Sequence, residues 1–551
     1  MELHAQSSQF KIFKGLAGAY VDHYDTVASL YGKNFRDPES FQRRLKELED
    51  QPIDRDALCE ALEAYNQSLG CSEKTLQNLE KLKQNDTVVV VTGQQAGIFT
   101  GALYTVYKAI TTLKLAKKLE TEIGRPVVPV FWIASEDHDF HEIKAAHYIT
   151  GGKLKKVEID KTDRKSLKRV NLKKMSVGHL ETNSSVKHSI EQILSDFAGN
   201  ESIDHFESLL STTFFDKDSL SNWFGRIMSR LFHDYGLVLL DPMISELRAL
   251  ETNFFKTAVE KQAAVAAALQ HQTEIVEKQG FQRAIEFDPH GLQLFIYEHE
   301  ERLALRIDQE GYFCEHGGQQ IRYSKEALLD RIAQRPQDFS TNVVLRPVVQ
   351  DVLLPTLAYV AGPGELNYYA QLDKVYQVFG RQAPVFYPRE NFTLVQKNVT
   401  EVLSQYDLSP ENVLMCGISA IRDHLLDLRD EVRIDTLFDN YIEKFEDEYR
   451  TLLQKVLEIS PDLESLSEKN IGLIKGQMNY LKEKAHRFHR RNHRQVTLDL
   501  TTIEAQLMPG GHLQERTLSI LQYYAEQGST LIDFLINEVP LDPDHRIIML
   551  G

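Results

Sequence analysis

Residues 87–108 read Thr-Val-Val-Val-Val-Thr-Gly-Gln-Gln-Ala-Gly-Ile-Phe-Thr-Gly-Ala-Leu-Tyr-Thr-Val-Tyr-Lys. The β-branched run Thr87–Thr92 has no polar alternation, so it reads as a strand buried on both faces, the habit of a parallel sheet. It breaks at Thr92-Gly93-Gln94-Gln95-Ala96-Gly97 and enters a helical pattern that runs to Leu119. A buried strand, a glycine turn and a helix N-terminus in succession bring unpaired amides together, which suits an anion or ligand site. This unit places the chain in the α/β class.

Four further segments read as strands of the same sheet: Val127–Ala134, Gly236–Leu240, Val343–Val349 and Pro384–Pro388. Helical patterns at Gly101–Leu119 and Ser221–Asp234 lie between some of them, and the alternation predicts a doubly wound parallel sheet. Residues 1–83 read as mostly helical. The Lys- and Ser-rich stretch 141–220 and the short strands within 280–325 (Gln293–Tyr297, Leu303–Ile307) break the alternation and read as insertions.

Beyond residue 395 the period changes. Phe438, Ile442, Phe445, Tyr449, Leu452, Val456 and Ile459 follow a heptad, Ser460-Pro461-Asp462 breaks it, and Ile471, Ile474, Met478, Leu481, Ala485 and Phe488 resume it. Two heptad helices around one turn predict an antiparallel coiled-coil hairpin in which facing residue numbers add to about 922. The basic run His486–Arg494 then falls opposite Asp427, Asp430, Glu431 and Asp435, as a solvated face paired to acids, with binding of a phosphate or a second nucleotide as the alternative. The expected organisation is a core over 1–395, a coiled-coil domain over 396–500, and a segment 501–551 that packs back on the core.

At 551 residues the chain exceeds one core, and two or three units are expected. No apolar run approaches the roughly 20 residues that span a bilayer, and Met1–Ser8 lacks the pattern of a signal peptide. Four cysteines without metal or disulfide spacing suit a reducing cytoplasm. A net charge of −17 disfavours a broad nucleic-acid surface. A cytoplasmic protein acting on small molecules, with no nucleic-acid and no membrane partner, is expected.

Ligands of open α/β sheets bind beyond the carboxyl ends of the strands. The residues there are Gly93, Gln94, Gln95 and Gly97, with Lys108 two turns into the helix; Ser135-Glu136-Asp137-His138-Asp139; Asp241; Gln350-Asp351; Gly362, Gly364 and Glu365 in a tight turn; and Arg389. The glycine spacing matches neither GxGxxG nor GxxxxGK[ST]. Lys108 is placed to reach back toward an anion, although a glycine turn that only eases helix–sheet packing remains open. The run Glu136–Glu142 contains metal-ligand residue types, but alternate residues of an extended segment point to opposite faces, so no metal is expected. Glu136, Asp137 and His138 are read as acid/base or amine-holding groups; a solvated acidic loop is the alternative. Lys174-Met175-Ser176 imitates part of a synthetase KMSKS motif from within an insertion and is read as chance. Cys314-Glu315-His316 lacks a third group for thiol catalysis.

Thr92–Gly97 with Gly101–Lys108, Phe131-Trp-Ile-Ala-Ser-Glu-Asp-His-Asp139, Arg346–Asp351, Leu354–Tyr368 and Pro509–Arg516 together strongly resemble the bacillithiol biosynthesis cysteine-adding enzyme family. The similarity covers essentially the whole chain; Asn367, Asn391 and Ser519 depart from the residues common in that family. The resemblance implies a Rossmann-like core related to class I synthetases and nucleotidyltransferases, connecting-peptide insertions, and a coiled coil that forms a homodimer. It also implies a ligase that joins L-cysteine to the amine of glucosaminyl-malate, giving bacillithiol. A free carboxylate is a poor electrophile, so ATP with magnesium is the expected activator, and no tightly bound cofactor is expected. The synthetase His-Ile-Gly-His motif is absent, with Gly93-Gln94-Gln95 in its place. A nucleotidyltransferase on the same sheet and a non-catalytic coiled-coil scaffold are the competing readings.

Overall fold

Val88–Gln94 (β1), Val127–Ile133 (β2), Val238–Leu240 (β3), Thr356–Ala361 (β4) and Val385–Pro388 (β5) form one sheet in the order β5-β4-β1-β2-β3, with every neighbouring pair parallel. The computed structural model describes residues 3–160, 172–200, 202–286 and 288–551. All five strands are almost wholly buried, as their apolar runs require. The helix Leu103–Ile123 follows β1 and packs against β1 and β2. The strand order reverses at the β1–β4 boundary, and a crevice opens there at the carboxyl ends.

The chain divides into two compact units, residues 1–394 with 514–551, and residues 395–513. The first contains the parallel sheet and both insertions. Within 280–325 the expected strands appear as Gly291–Glu298 and Glu301–Asp308, in a five-stranded antiparallel sheet with Gly311–His316, Gln319–Tyr323 and Phe339–Thr341. Within 141–220 a hairpin, Ala145–Thr150 with Lys153–Glu158, precedes two helices, Ser184–Asp196 and Ile203–Thr213; residues 161–171 and 201 of that insertion lie outside the described residues. The chain's first strand, Leu3–Ser7, pairs antiparallel with His545–Leu550, an addition to the mostly helical N-terminal region.

The expected strand Val343–Val349 is a correction. Asn342 Oδ1 accepts the amides of Val344 and Leu345 at 3.0 and 3.3 Å, and Pro347 sits in the first turn of a helix, Arg346–Leu353. Proline favours that position because its fixed φ suits a helix and its missing N–H has no partner there. The apolar residues recur at helical spacing, with Val344, Leu345, Val348 and Val349 all buried. The fourth strand is β4 instead. Gln350 and Asp351 therefore do not end a strand: Asp351 is buried and ion-paired with Arg44 and Arg381.

The second unit carries the hairpin, helices Ile434–Leu457 and Glu464–Asn492 around Ser460-Pro461. Glu446 faces Lys475, Asp439 faces Lys482, and Asp435 faces His486. This register is within one residue of the expected one. Of the acids placed opposite the basic run, Asp435 meets His486, whereas Asp430 accepts the amide of Ile434 and His489 Nε2 meets Leu426 O. Leu452, Ile459, Leu481 and Phe488 stay exposed, because two helices cover only part of a heptad seam. The helix Arg494–Leu507 runs through residue 500, and this compact unit ends at Leu513.

Candidate functional site

At the β1–β4 crevice lies a cavity of about 450 Å³. Gly93 and Gln94 line it from β1 with Gln95 just beyond, Trp132 from β2 with Ala134 just beyond, and Tyr359 from β4. A Cβ on Gly93 would sit 3.0 Å from Trp132 O, tighter than an ordinary contact, so a side chain there would press on the neighbouring strand. The loop after β2 contributes Glu136, Asp137, His138 and, further on, Glu142.

Asp137 accepts the amide of its neighbour His138 at 2.7 Å and a bond from Gln95 Nε2. Its side chain remains partly open to solvent. Glu142 lies beside it, and burial together with the charge of Asp137 pushes the Glu142 carboxyl up. Glu136 differs: it is 5% exposed and ion-paired with Arg248, which also pairs with Glu251. It anchors the loop, and its carboxylate is not free to act as a base. Asp139 caps the short helix Phe140–Ile143 through the amide of His141. Asp241 accepts bonds from Ser135 Oγ and the amide of Met243, so it holds the loop from behind. Burial pushes its carboxyl up.

Lys108 does not reach into the cavity as an anion-binding arm. Its ammonium is buried, 2.6 Å from Glu365 Oε2, 2.8 Å from Gly93 O and 3.0 Å from Gln94 Oε1. Burial lowers its pKa and Glu365 opposes that shift. Glu365 also accepts from Tyr359 OH and from the amide of Gly362, both at 2.7 Å. A Cβ on Gly362 would approach Glu365 and Arg389 to 3.4 and 3.5 Å, whereas Gly364 has open space around it. Arg389 is buried behind this network, ion-paired with Glu515 and 2.7 Å from Asn391 Oδ1.

The remaining lining was not anticipated. Arg302 and Phe295 come from the antiparallel insertion, and Arg346 and Tyr368 from helical segments. Arg346 sits 5.4 Å from the Tyr359 ring centroid and 6.0 Å from that of Trp132. No local motif marks Arg302, whereas Glu142, Trp132, Phe295, Arg346, Tyr359 and Tyr368 lay inside the stretches quoted above. The cavity thus brings the carboxylates of Asp137, Glu142 and Glu365 together with the guanidinium groups of Arg302 and Arg346. A second cavity, about 320 Å³, shares Gln94, Gln95 and Glu142 with the first and reaches Gly97, His147 and Arg516 at the N-terminus of the helix Leu103–Ile123. Gly97 is required by packing, since a Cβ there would fall 2.9 Å from Gly101 Cα.

A 3-2-1-4-5 parallel sheet with a polar cavity at its switch point defines a Rossmann-like enzyme core. Residues 1–390 match the family model described as the N-terminal Rossmann-like domain of bacillithiol biosynthesis BshC, and residues 392–550 match its C-terminal coiled-coil domain. A relative from Symbiobacterium thermophilum is 37% identical over 97% of this chain and 98% of its own length. One from Heliobacterium modesticaldum is 34% identical over 96% and 97%, and one from Geobacillus thermodenitrificans is 32% identical over 94% and 95%. All three carry the name "Putative cysteine ligase BshC". The chain belongs to the bacillithiol biosynthesis BshC family and is a ligase. Among the described residues no helix is long and apolar enough to cross a membrane.

Proposed function

We propose that this ligase forms the amide between the carboxyl of L-cysteine and the amine of glucosaminyl-malate, the step that yields bacillithiol. The carrying observation is that one cavity at the strand ends is lined by both carboxylates and guanidinium groups, Asp137 and Glu142 with Arg302 and Arg346. An amine is held and deprotonated on a carboxylate wall, and Asp137, fixed by Gln95 and the amide of His138, is the base placed to do it. The oxygen lost from the cysteine carboxylate needs a leaving group. ATP with magnesium supplies one in this reading, with the phosphates toward Arg516 and the first turn of the helix Leu103–Ile123. Lys108 has a positioning part, because it ties Gly93 and Gln94 to Glu365. The exposed heptad residues Leu452, Leu481 and Phe488 support a homodimer through the coiled coil.

Mass spectrometry of the protein incubated with L-cysteine and glucosaminyl-malate, with and without ATP and magnesium, tests the reading. Amide product formed only with ATP, with AMP beside it, is the expected result. A nucleotide-linked product without amide would favour the nucleotidyltransferase reading. No conversion in any tube would overturn the proposed reaction.

A further inference from the structure

Six arginines are buried among the described residues, and five of them pair with a carboxylate: Arg44 and Arg381 with Asp351, Arg226 with Asp218, Arg248 with Glu136 and Glu251, and Arg389 with Glu515. Arg302 is the exception. It is 7% exposed, and its donors go to neutral acceptors: Nε to Ser340 Oγ at 2.9 Å and Nη2 to Thr341 O at 2.6 Å, with Nη1 3.4 Å from His138 Nδ1. Its guanidinium stacks 3.8 Å from the Phe295 ring centroid, which fixes its plane. Asp137 is the acid whose field reaches it, yet no ion pair joins them, and the Asp137 oxygens already accept from Gln95 and from the amides of His138 and Asp139. A guanidinium cannot shed its charge, and burying one without a counter-charge is costly.

Arg302 also stands at a junction. With His138 and Phe295 it lines both the main cavity and a smaller one of about 240 Å³. The smaller cavity adds two cations, Lys174 and Arg306, the ring of Phe313 and one acid, Glu315. Arg306 is itself 3.2 Å from Asp288. Lys174 opens the segment read above as a chance imitation of a synthetase motif. Two residues on, Ser176 Oγ donates to Glu136 O at 2.6 Å, so this segment is fastened to the loop that carries Asp137.

We infer that Arg302 is the receptor for an oxyanion of a substrate, a carboxylate or a phosphate, held at the junction of the two cavities with Lys174 on its far side. That this anion belongs to a ligase substrate rests on the function proposed above; the existence of the site does not. A planar guanidinium with fixed orientation makes paired hydrogen bonds to such groups. The carboxylates of the malyl group are the expected source, since the substrate whose amine Asp137 holds in the proposed reaction carries them.

Calorimetric titration of the full-length protein with L-malate, with pyrophosphate and with L-cysteine, each alone, tests the site without any turnover. The expected result is binding of malate that weakens about 10- to 100-fold in Arg302→Met, the worth of hydrogen bonds to a charged group. Arg302→Lys, which keeps the charge but not the fork, is expected to retain part of the affinity, and it carries the test if the methionine variant does not fold. Loss confined to pyrophosphate would keep the anion site and assign it to the nucleotide; loss confined to L-cysteine would assign it to the donor carboxylate. If no probe binds the wild type, or if both variants bind every probe as the wild type does, the inference is overturned. Protein that makes no amide product yet loses anion binding in Arg302→Met would refute the reaction and leave the site standing.

Discussion

Lys108 Nζ and Glu365 Oε2 lie 2.6 Å apart, and this contact joins the helix after β1 to the short helix after β4 across the point where the sheet reverses. The lysine side chain is almost wholly buried. Removing one partner of a buried pair leaves the other charge uncompensated, at a cost of about 3–5 kcal/mol. Glu365→Gln is therefore expected to lower the urea midpoint and to loosen Gly93 and Gln94. Adding Lys108→Met to it should restore part of the stability, because neither charge then remains. Equal midpoints for the single and double variants would show that the pair is not coupled.

Asp137→Asn keeps the side chain's shape and removes its charge. Turnover should fall about 10²- to 10⁴-fold, the usual contribution of a positioned general base. The thermal midpoint should hold, because Asp137 is partly open to solvent. Turnover near the wild-type rate would remove Asp137 from the mechanism and return the loop to a solvated acidic segment.

Glu142 is pushed up by burial and by Asp137. A carboxyl with a raised pKa takes up its proton at higher pH than an ordinary one, so the amine-holding wall loses charge early as the solution is acidified. The acid limb of kcat/KM should lie above the usual carboxylate range and move down in Asp137→Asn, where residual rate permits. A limb unmoved in both Asp137→Asn and Glu142→Gln would assign it to another group.

Glu390 is fully buried beside Lys114, and burial pushes its carboxyl up to about 7. Between the ordinary glutamate value and that pH the folded protein holds a proton that the unfolded chain has released, so stability falls as pH rises through the window. The upper bound is about 3 kcal/mol, from 1.36 kcal/mol per pKa unit. Chemical denaturation from pH 4 to 8 should show this fall in the wild type and a flatter profile in Glu390→Gln. Parallel profiles would refute it.

Phe445→Asp with Leu481→Asp places charges in the heptad seam of the hairpin. If that seam and its exposed apolar residues form the dimer, sedimentation should show a monomer that keeps the far-ultraviolet signal of the first unit. A persistent dimer would locate the interface elsewhere.

Much of the architecture was legible because its signals are local. The apolar runs that became β1, β2, β3 and β5 admit little but a doubly buried strand, and the heptads set the hairpin register through their own period. Val343–Val349 was misread because a β-branched run does not reveal its period when Asn342 and Pro347 start a helix within it. The site was legible in part. The turn at Gly93–Gln95 and the loop at Glu136–Asp137 follow strand ends, where ligands bind. The separate fates of neighbours were not legible: Glu136 turns to Arg248 while Asp137 faces the cavity.

By itself the sequence determined four of the five strands of the parallel sheet, the coiled coil, and the family, because periodicity, turn residues and long motifs are carried by contiguous residues. Only the tertiary structure decided which charges are free. Lys108 is consumed by Glu365, Glu136 by Arg248 and Arg389 by Glu515, while Arg302 reaches the cavity from an insertion without a carboxylate of its own. The reason is physical: the availability of a charged group depends on what lies within a few ångströms of it, and those partners come from distant parts of the chain.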